Sequence, residues 1–160
     1  MYNYMCAIDL DLVTLTSGTV YYSLFNAHTH DVYINKFLLQ TMSATGSGNT
    51  KCMFSIARAN GATPTGGTIV TYTKTNTQFK TINMDIRKST TGLVTTGTNI
   101  DAYFIELAVK TGSDGHMFPF DFGDSLVISP TQGIIIQADG DMVSGASLHG
   151  TIQFSTDTFY

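Results

Sequence analysis

The chain contains no tryptophan and a single glutamate, Glu106. Charged residues make up 12% of its 160 residues, about half the usual share. With so little Glu and Lys, there is scant material for the exposed faces of helices. Lys and Arg number 8 against 12 Asp and Glu, a net charge of -4 with no basic stripe. Direct nucleic-acid binding is therefore not expected. Cysteine is scarce too: Cys6 and Cys52 are too few for a disulfide framework and lack metal-ligand spacing. Cys52 lies in an apolar strand pattern, and a reduced, buried thiol fits folding in a cytoplasm. No apolar run approaches the ~20 residues that span a bilayer, so no membrane contact is expected. The opening "MYNYMCAIDLDLVTL" has no positive charge ahead of an apolar core, and Asp9 and Asp11 interrupt it. It resembles neither a secretory signal nor a transit peptide.

What is present is threonine, serine, asparagine and glycine, arranged around short β-rich runs. The pattern predicts strands at Thr19–Asn26, Val32–Thr41, Lys51–Arg58, Thr68–Thr73, Phe79–Met84, Ala102–Lys110, Ser125–Ser129, Gly133–Ala138 and Ser147–Ser155. Between them stand the breakers "TGSGN", "NGATPTGG", "TGSDG", "SPTQG" and "ADGD". No segment keeps a helical apolar stripe for three turns. The expectation is one domain over residues 1–160, all-β, long enough to bury roughly 70% of its unfolded surface.

In "SGASLHGTIQFS", Ala146, Leu148, Ile152 and Phe154 fall on one face and Ser147, His149, Thr151 and Gln153 on the other. Such alternation marks a strand with one buried and one wet face. "KFLLQ" (Lys36–Gln40) and "GIIIQ" (Gly133–Gln137) are instead apolar on both faces. Two explanations fit: contact with another subunit, or twisting strands near a sandwich corner. The apolar ends "MYNYM" and "DTFY" also call for docking, on the chain's own sandwich or on a neighbour. Residues 1–15 thus read as an N-terminal docking arm.

Several stretches invite chemistry. "NAHTHDVYIN" (residues 26–35) holds His28 and His30 around one threonine, followed by Asp31. An amidohydrolase-type metal barrel needs alternating helices and about 250 residues, which this chain lacks. A cupin-type site needs a glutamate shortly afterwards and a third histidine beyond a later Pro-Gly turn. Ile34 and Asn35 stand at the glutamate positions and Ile136 at the third ligand. Three protein ligands and an open position are the usual catalytic requirement, and His116 and His149 have no spacing that brings them to this loop. "TGSGNTK" has Thr50 where a phosphate loop needs glycine before its lysine. "GASLH" (Gly145–His149) lacks the second glycine of a nucleophile elbow, so Ser147 is not read as a nucleophile. "ADGDM" offers Asp139 and Asp141, short of the six or more oxygens calcium takes and first of all a hairpin turn. The expectation is a non-enzyme with no catalytic residue, no metal and no cofactor.

Four stretches taken together, "YYSLFN" (Tyr21–Asn26), "VYINKFLLQTMSA" (Val32–Ala44), "SLVISPTQGIIIQA" (Ser125–Ala138) and "SGASLHGTIQFST" (Ser144–Thr156), resemble a family. It comprises the small jelly-roll decoration or auxiliary capsid proteins of tailed-bacteriophage heads, with a fold like tumour necrosis factor. The resemblance implies an antiparallel jelly-roll β-sandwich of about eight strands. It further implies a homotrimer on the outer capsid, made in the host cytoplasm and bound to the major capsid protein or another virion protein. The middle of the chain, Asn60 to Gly97, contributes nothing to it. A different class of function, a receptor- or glycan-binding module of a phage fibre or tail, stays open, although tryptophan, the largest aromatic platform, is missing. A cupin-like metalloenzyme is the third. Apolar surface residues expected at an interface are Met1, Tyr2, Tyr4, Met5, Phe159 and Tyr160, with Tyr21, Tyr22 and Tyr103 as secondary candidates.

Overall fold

The computed structural model describes residues 3–12, 16–43, 54–61, 64–95, 98–103, 116–138 and 146–156. Among these residues the chain forms strands and no helix: β1 (Tyr4–Leu12), β2 (Val20–Asn26), β3 (Val32–Ser43), β4 (Phe54–Asn60), β5 (Thr68–Ile69), β6 (Tyr72–Lys74), β7 (Met84–Leu93), β8 (Thr98–Tyr103), β9 (His116–Ile128), β10 (Gln132–Ala138) and β11 (Ala146–Thr156). All pairings are antiparallel. One sheet has five strands in the order β6-β1-β11-β3-β9, the other six in the order β5-β7-β2-β10-β4-β8. The protein is an all-β antiparallel sandwich: all-β as the β-rich runs predicted, and two antiparallel sheets as the resemblance implied. Strands β1 to β4 alternate between the sheets, and so do β8 to β11. The segment between β4 and β8 adds its three strands on one side only, β6 outside β1, and β7 and β5 outside β2.

Period-two alternation builds the core. Tyr4, Cys6, Ile8 and Leu10 of β1 point inward with Leu148, Ile152 and Phe154 of β11 and Phe37 and Leu39 of β3. Tyr22 and Leu24 of β2, Ile134 and Ile136 of β10, Phe54 and Ile56 of β4 and Ile86 of β7 face them from the second sheet. Each such Ile, Leu or Phe contributes about 1.5–3 kcal/mol when fully buried. In β3 the alternation slips, because Ile34 and Phe37 are both buried. A bulge at Asn35 accounts for it: Phe154 pairs with Ile34 but Gln153 with Lys36. The extra residue resets which face the following side chains take.

A second, smaller cluster lies on the outer face of the six-stranded sheet: Val20, Ala57, Ala59, Leu93 and Ile135. The chain covers this face itself. Gly61, Pro64 and Thr95 wall a narrow gap with Ala59 and Ile135, and Thr65 and Val94 exchange backbone hydrogen bonds of 3.0 and 3.2 Å above it. For "GIIIQ", then, the second apolar face is packed within one chain.

Several boundaries differ from expectation. Residues 4–12 of the segment read as a docking arm are β1, an interior strand between β6 and β11. Thr68–Thr73 is not one strand: the chain leaves the six-stranded sheet after Ile69 and joins the five-stranded sheet at Tyr72. Phe79–Met84 is not a strand; pairing begins at Met84 and runs through the polar "MDIRKSTTGL" to Leu93. β9 starts at His116, well before Ser125. Residues 51–53 and 104–110 of two expected strands lie outside the described residues.

Candidate functional site

β1 and β11 are hydrogen-bonded neighbours with Asp9 opposite His149 and Asp11 opposite Ser147. Since Cys6, Ile8 and Leu10 point inward, these four project from the outer face. His149 lies between the carboxylates, Nδ1 3.0 Å from Asp9 Oδ1 and Nε2 3.3 Å from Asp11 Oδ1. Ser147 Oγ donates to Asp11 Oδ1 at 2.6 Å. From β7, Lys88 Nζ donates to the Asp9 backbone carbonyl at 3.0 Å and to Asp9 Oδ2 at 3.1 Å, tying the two sheets together at one edge. The hydrogen bond and charge of the Lys88 ammonium, helped by His149, hold the Asp9 carboxyl below its ordinary range. Ligand atoms of Asp9, Asp11 and His149 lie within 4.8 Å of one another. An open cleft of about 240 Å³ adjoins them, lined by Asp9, Leu10, Asp11, Gly67, Thr68, Lys88, Ser89 and Thr90. Chemically the cluster offers carboxylate acceptors, one ammonium and several hydroxyls to a polar ligand.

The histidine loop is a separate feature. Asn26, fully buried at the end of β2, accepts a hydrogen bond from the His28 N–H at 2.9 Å. Its Nδ2 donates to the His30 and Ile128 carbonyls, both at 2.9 Å. The expected polar turn between two strands is there, with His28 half-buried and His30 exposed.

Of the expected interface residues whose side chains are described, three are core. Tyr4, Tyr21 and Tyr22 are at most 2% exposed, so they offer no surface to a partner. Their hydroxyls are satisfied inside the chain, which is what lets an aromatic with a polar tip be buried. Tyr4 donates to the Lys80 carbonyl at 2.8 Å, and Tyr21 accepts from the Thr16 N–H at 2.9 Å. Tyr22 donates to the Ala7 carbonyl at 3.0 Å and lies 3.4 Å from Cys6 Sγ. Burial raises the pKa of the Tyr22 hydroxyl well above its usual value and pushes the Cys6 thiol up to about 12. Met5 is exposed on the outer face of β1. Tyr103 ends β8 opposite Ile56. Met1, Tyr2, Phe159, Tyr160, Asp139, Asp141 and "TGSGNTK" lie outside the described residues.

The Asp9–Asp11–His149 cluster is not legible in the local sequence. Asp-x-Asp in an alternating run and Ser-x-His in another each say "outer face", but only the pairing of the first strand with the last brings them together.

No family model matches the chain, and no curated protein matches it either.

Proposed function

We propose that the protein is a jelly-roll virion structural subunit, a homotrimeric decoration protein of the outer head that acts by protein–protein contact. Strand order carries the reading. Leaving out β5, β6 and β7, the first strand lies beside the last, β1-β11-β3-β9, and the second beside the second-to-last, β2-β10-β4-β8. That arrangement supports the double Greek key of a jelly roll, the fold the sequence resemblance implies. The outer face of the five-stranded sheet suits the role. One cross-strand row there reads Ala7, Thr151, Leu38 and Pro119, small or apolar and without charge. Light scattering at low and high salt tests the assembly: three times the 17.3 kDa chain mass is expected at both. A stable monomer that does not bind empty capsids overturns the proposal.

One observation favours a second reading, a receptor- or glycan-binding module. The cleft beside Lys88 is lined by carboxylates and hydroxyls, groups that hydrogen-bond sugar hydroxyls. Binding on a glycan array that is lost in Asp9→Asn would support this reading over the first.

A further inference from the structure

One buried side chain holds the backbone of both histidines in "NAHTHD". Asn26 takes the His28 N–H with its Oδ1 and gives Nδ2 hydrogen bonds to the His30 and Ile128 carbonyls. The loop is fixed twice more, by Asn83 Nδ2 on the Ala27 carbonyl at 3.1 Å and by the Thr131 N–H on the Asn26 carbonyl at 3.0 Å. From this frame the imidazoles emerge side by side, their centroids 5.4 Å apart and planes at 66°. That separation can be compared with a shared ion. A metal–nitrogen bond of ~2.0–2.1 Å places each ring centroid ~3.2 Å from the metal. Two rings on one ion are then ~5.2 Å apart at the tetrahedral angle, and 5.4 Å corresponds to an angle of ~115–120°. Sharing one ion then requires a nitrogen of each ring to turn about its side-chain torsions toward a common point, from a backbone that the Asn26 hydrogen bonds hold.

We propose that His28 and His30 form a two-imidazole subsite for a borderline divalent cation such as Zn2+ or Ni2+. The remaining coordination positions are open to water or to a ligand atom of another molecule. Imidazole nitrogen selects these ions over Mg2+ and Ca2+, which take oxygen ligands. Ile34, Asn35 and Ile136 stand where a complete three-ligand catalytic set would need its further ligands. A two-ligand subsite asks nothing of Ile34, Asn35 or Ile136. The cluster of three metal-ligating groups found among the described residues, Asp9, Asp11 and His149, is less suited despite its three members. There His149 has Nδ1 on Asp9 and Nε2 on Asp11, Asp9 also holds Lys88, and Asp11 holds Ser147. A cation would have to break those contacts first.

Titration of the full chain with ZnCl2 in a calorimeter, with excess MgCl2 present, tests the proposal. The expected result is one Zn2+ per chain, unaffected by Mg2+. His28→Ala and His30→Ala should each weaken it at least tenfold, and His149→Ala should leave it within twofold. His30→Gln, at an exposed position, serves as a second variant if an alanine variant melts early. Absence of Zn2+ binding by the unmodified chain overturns the proposal. So does binding that survives both His28→Ala and His30→Ala, or that is lost in His149→Ala.

Discussion

Replacing Asn26 with alanine should be among the most damaging single polar substitutions in this chain. Its side chain is fully buried and makes three hydrogen bonds, each 2.9 Å. A typical intramolecular hydrogen bond contributes a net ~1 kcal/mol, and a buried partner left unsatisfied costs ~1–3 kcal/mol. The His28 N–H and His30 carbonyl are only partly buried and can turn to water. The bond to the Ile128 carbonyl is buried, so its loss carries the full penalty. The sum is about 3 kcal/mol, or a fall in Tm of ~6–12 °C for a domain of this size. Urea unfolding followed by far-UV circular dichroism gives the measurement, read as a shift in midpoint at constant slope. Asn26→Asp supplies the control. It keeps the acceptor for His28 but aims a carboxylate at two carbonyl oxygens, so at neutral pH it should destabilise at least as much. The introduced carboxyl would have a raised folded pKa. Its deficit should therefore shrink as pH falls, when the protonated form can donate to one carbonyl. A loss below ~1 kcal/mol for Asn26→Ala would show that the turn is held by its backbone alone.

Three further outcomes follow from single groups. A Cβ on Gly150, which sits between Ile8 of β1 and Leu39 of β3, would strike the Leu38 carbonyl oxygen; Gly150→Ala should cost about 1–3 kcal/mol, and a melting curve unchanged by it would refute that packing. Asp9 has a depressed folded pKa, so its contribution is present above the unfolded value and lost as pH falls through the folded one. Because Asp9 is largely exposed, the effect should be under ~1 kcal/mol; Asp9→Asn should flatten the acid limb of the stability–pH curve, and parallel curves would contradict the Lys88 pairing. With its thiol pushed up to about 12 and its side chain buried, Cys6 in a Cys52→Ser background should resist Ellman's reagent at pH 8 until denaturant is added. Rapid labelling of the native protein would be the contrary result.

The strands legible in the sequence are those whose alternation is uninterrupted or whose turns carry strong breakers: β2, β3, β10 and β11 fall within about two residues of expectation. β1 was hidden by Asp9 and Asp11, which look like breaks in an apolar run but are simply its outward positions. β7 was hidden for the opposite reason. Only Met84, Ile86 and Leu93 are apolar in its ten residues, because it lies near an edge of its sheet and its Lys and Arg side chains carry ion pairs there. The buried tyrosines were misplaced because composition cannot show that each hydroxyl finds a partner inside the chain, a carbonyl for Tyr4 and Tyr22 and the Thr16 N–H for Tyr21. Asp9 and His149 could not be joined from local pattern at all, since 140 positions separate them and only strand order makes them neighbours.

Strand order also separates two stretches that looked alike. "GIIIQ" and "KFLLQ" are both apolar on two faces, and both raised the question of a second subunit. In β10 the outward Ile135 is buried by the chain itself, packed with Val20, Ala57, Ala59 and Leu93. In β3 the outward Leu38 is only half-buried, in a row with Ala7, Thr151 and Pro119. If subunits or capsid proteins dock through an apolar face, β3 is therefore the strand to perturb and β10 is not. Leu38→Lys should leave the monomer within ~1 kcal/mol of the unmodified chain, because a partly exposed lysine can carry its charge to water over its own apolar stem. At an interface the same charge would be desolvated without a partner, at a cost of several kcal/mol, enough to dissolve a trimer at micromolar concentration. Sedimentation of the variant, beside Ile135→Lys as a core control that should unfold rather than dissociate, decides the matter. A Leu38→Lys protein that stays trimeric and still binds capsids would move the contact surface away from the five-stranded sheet.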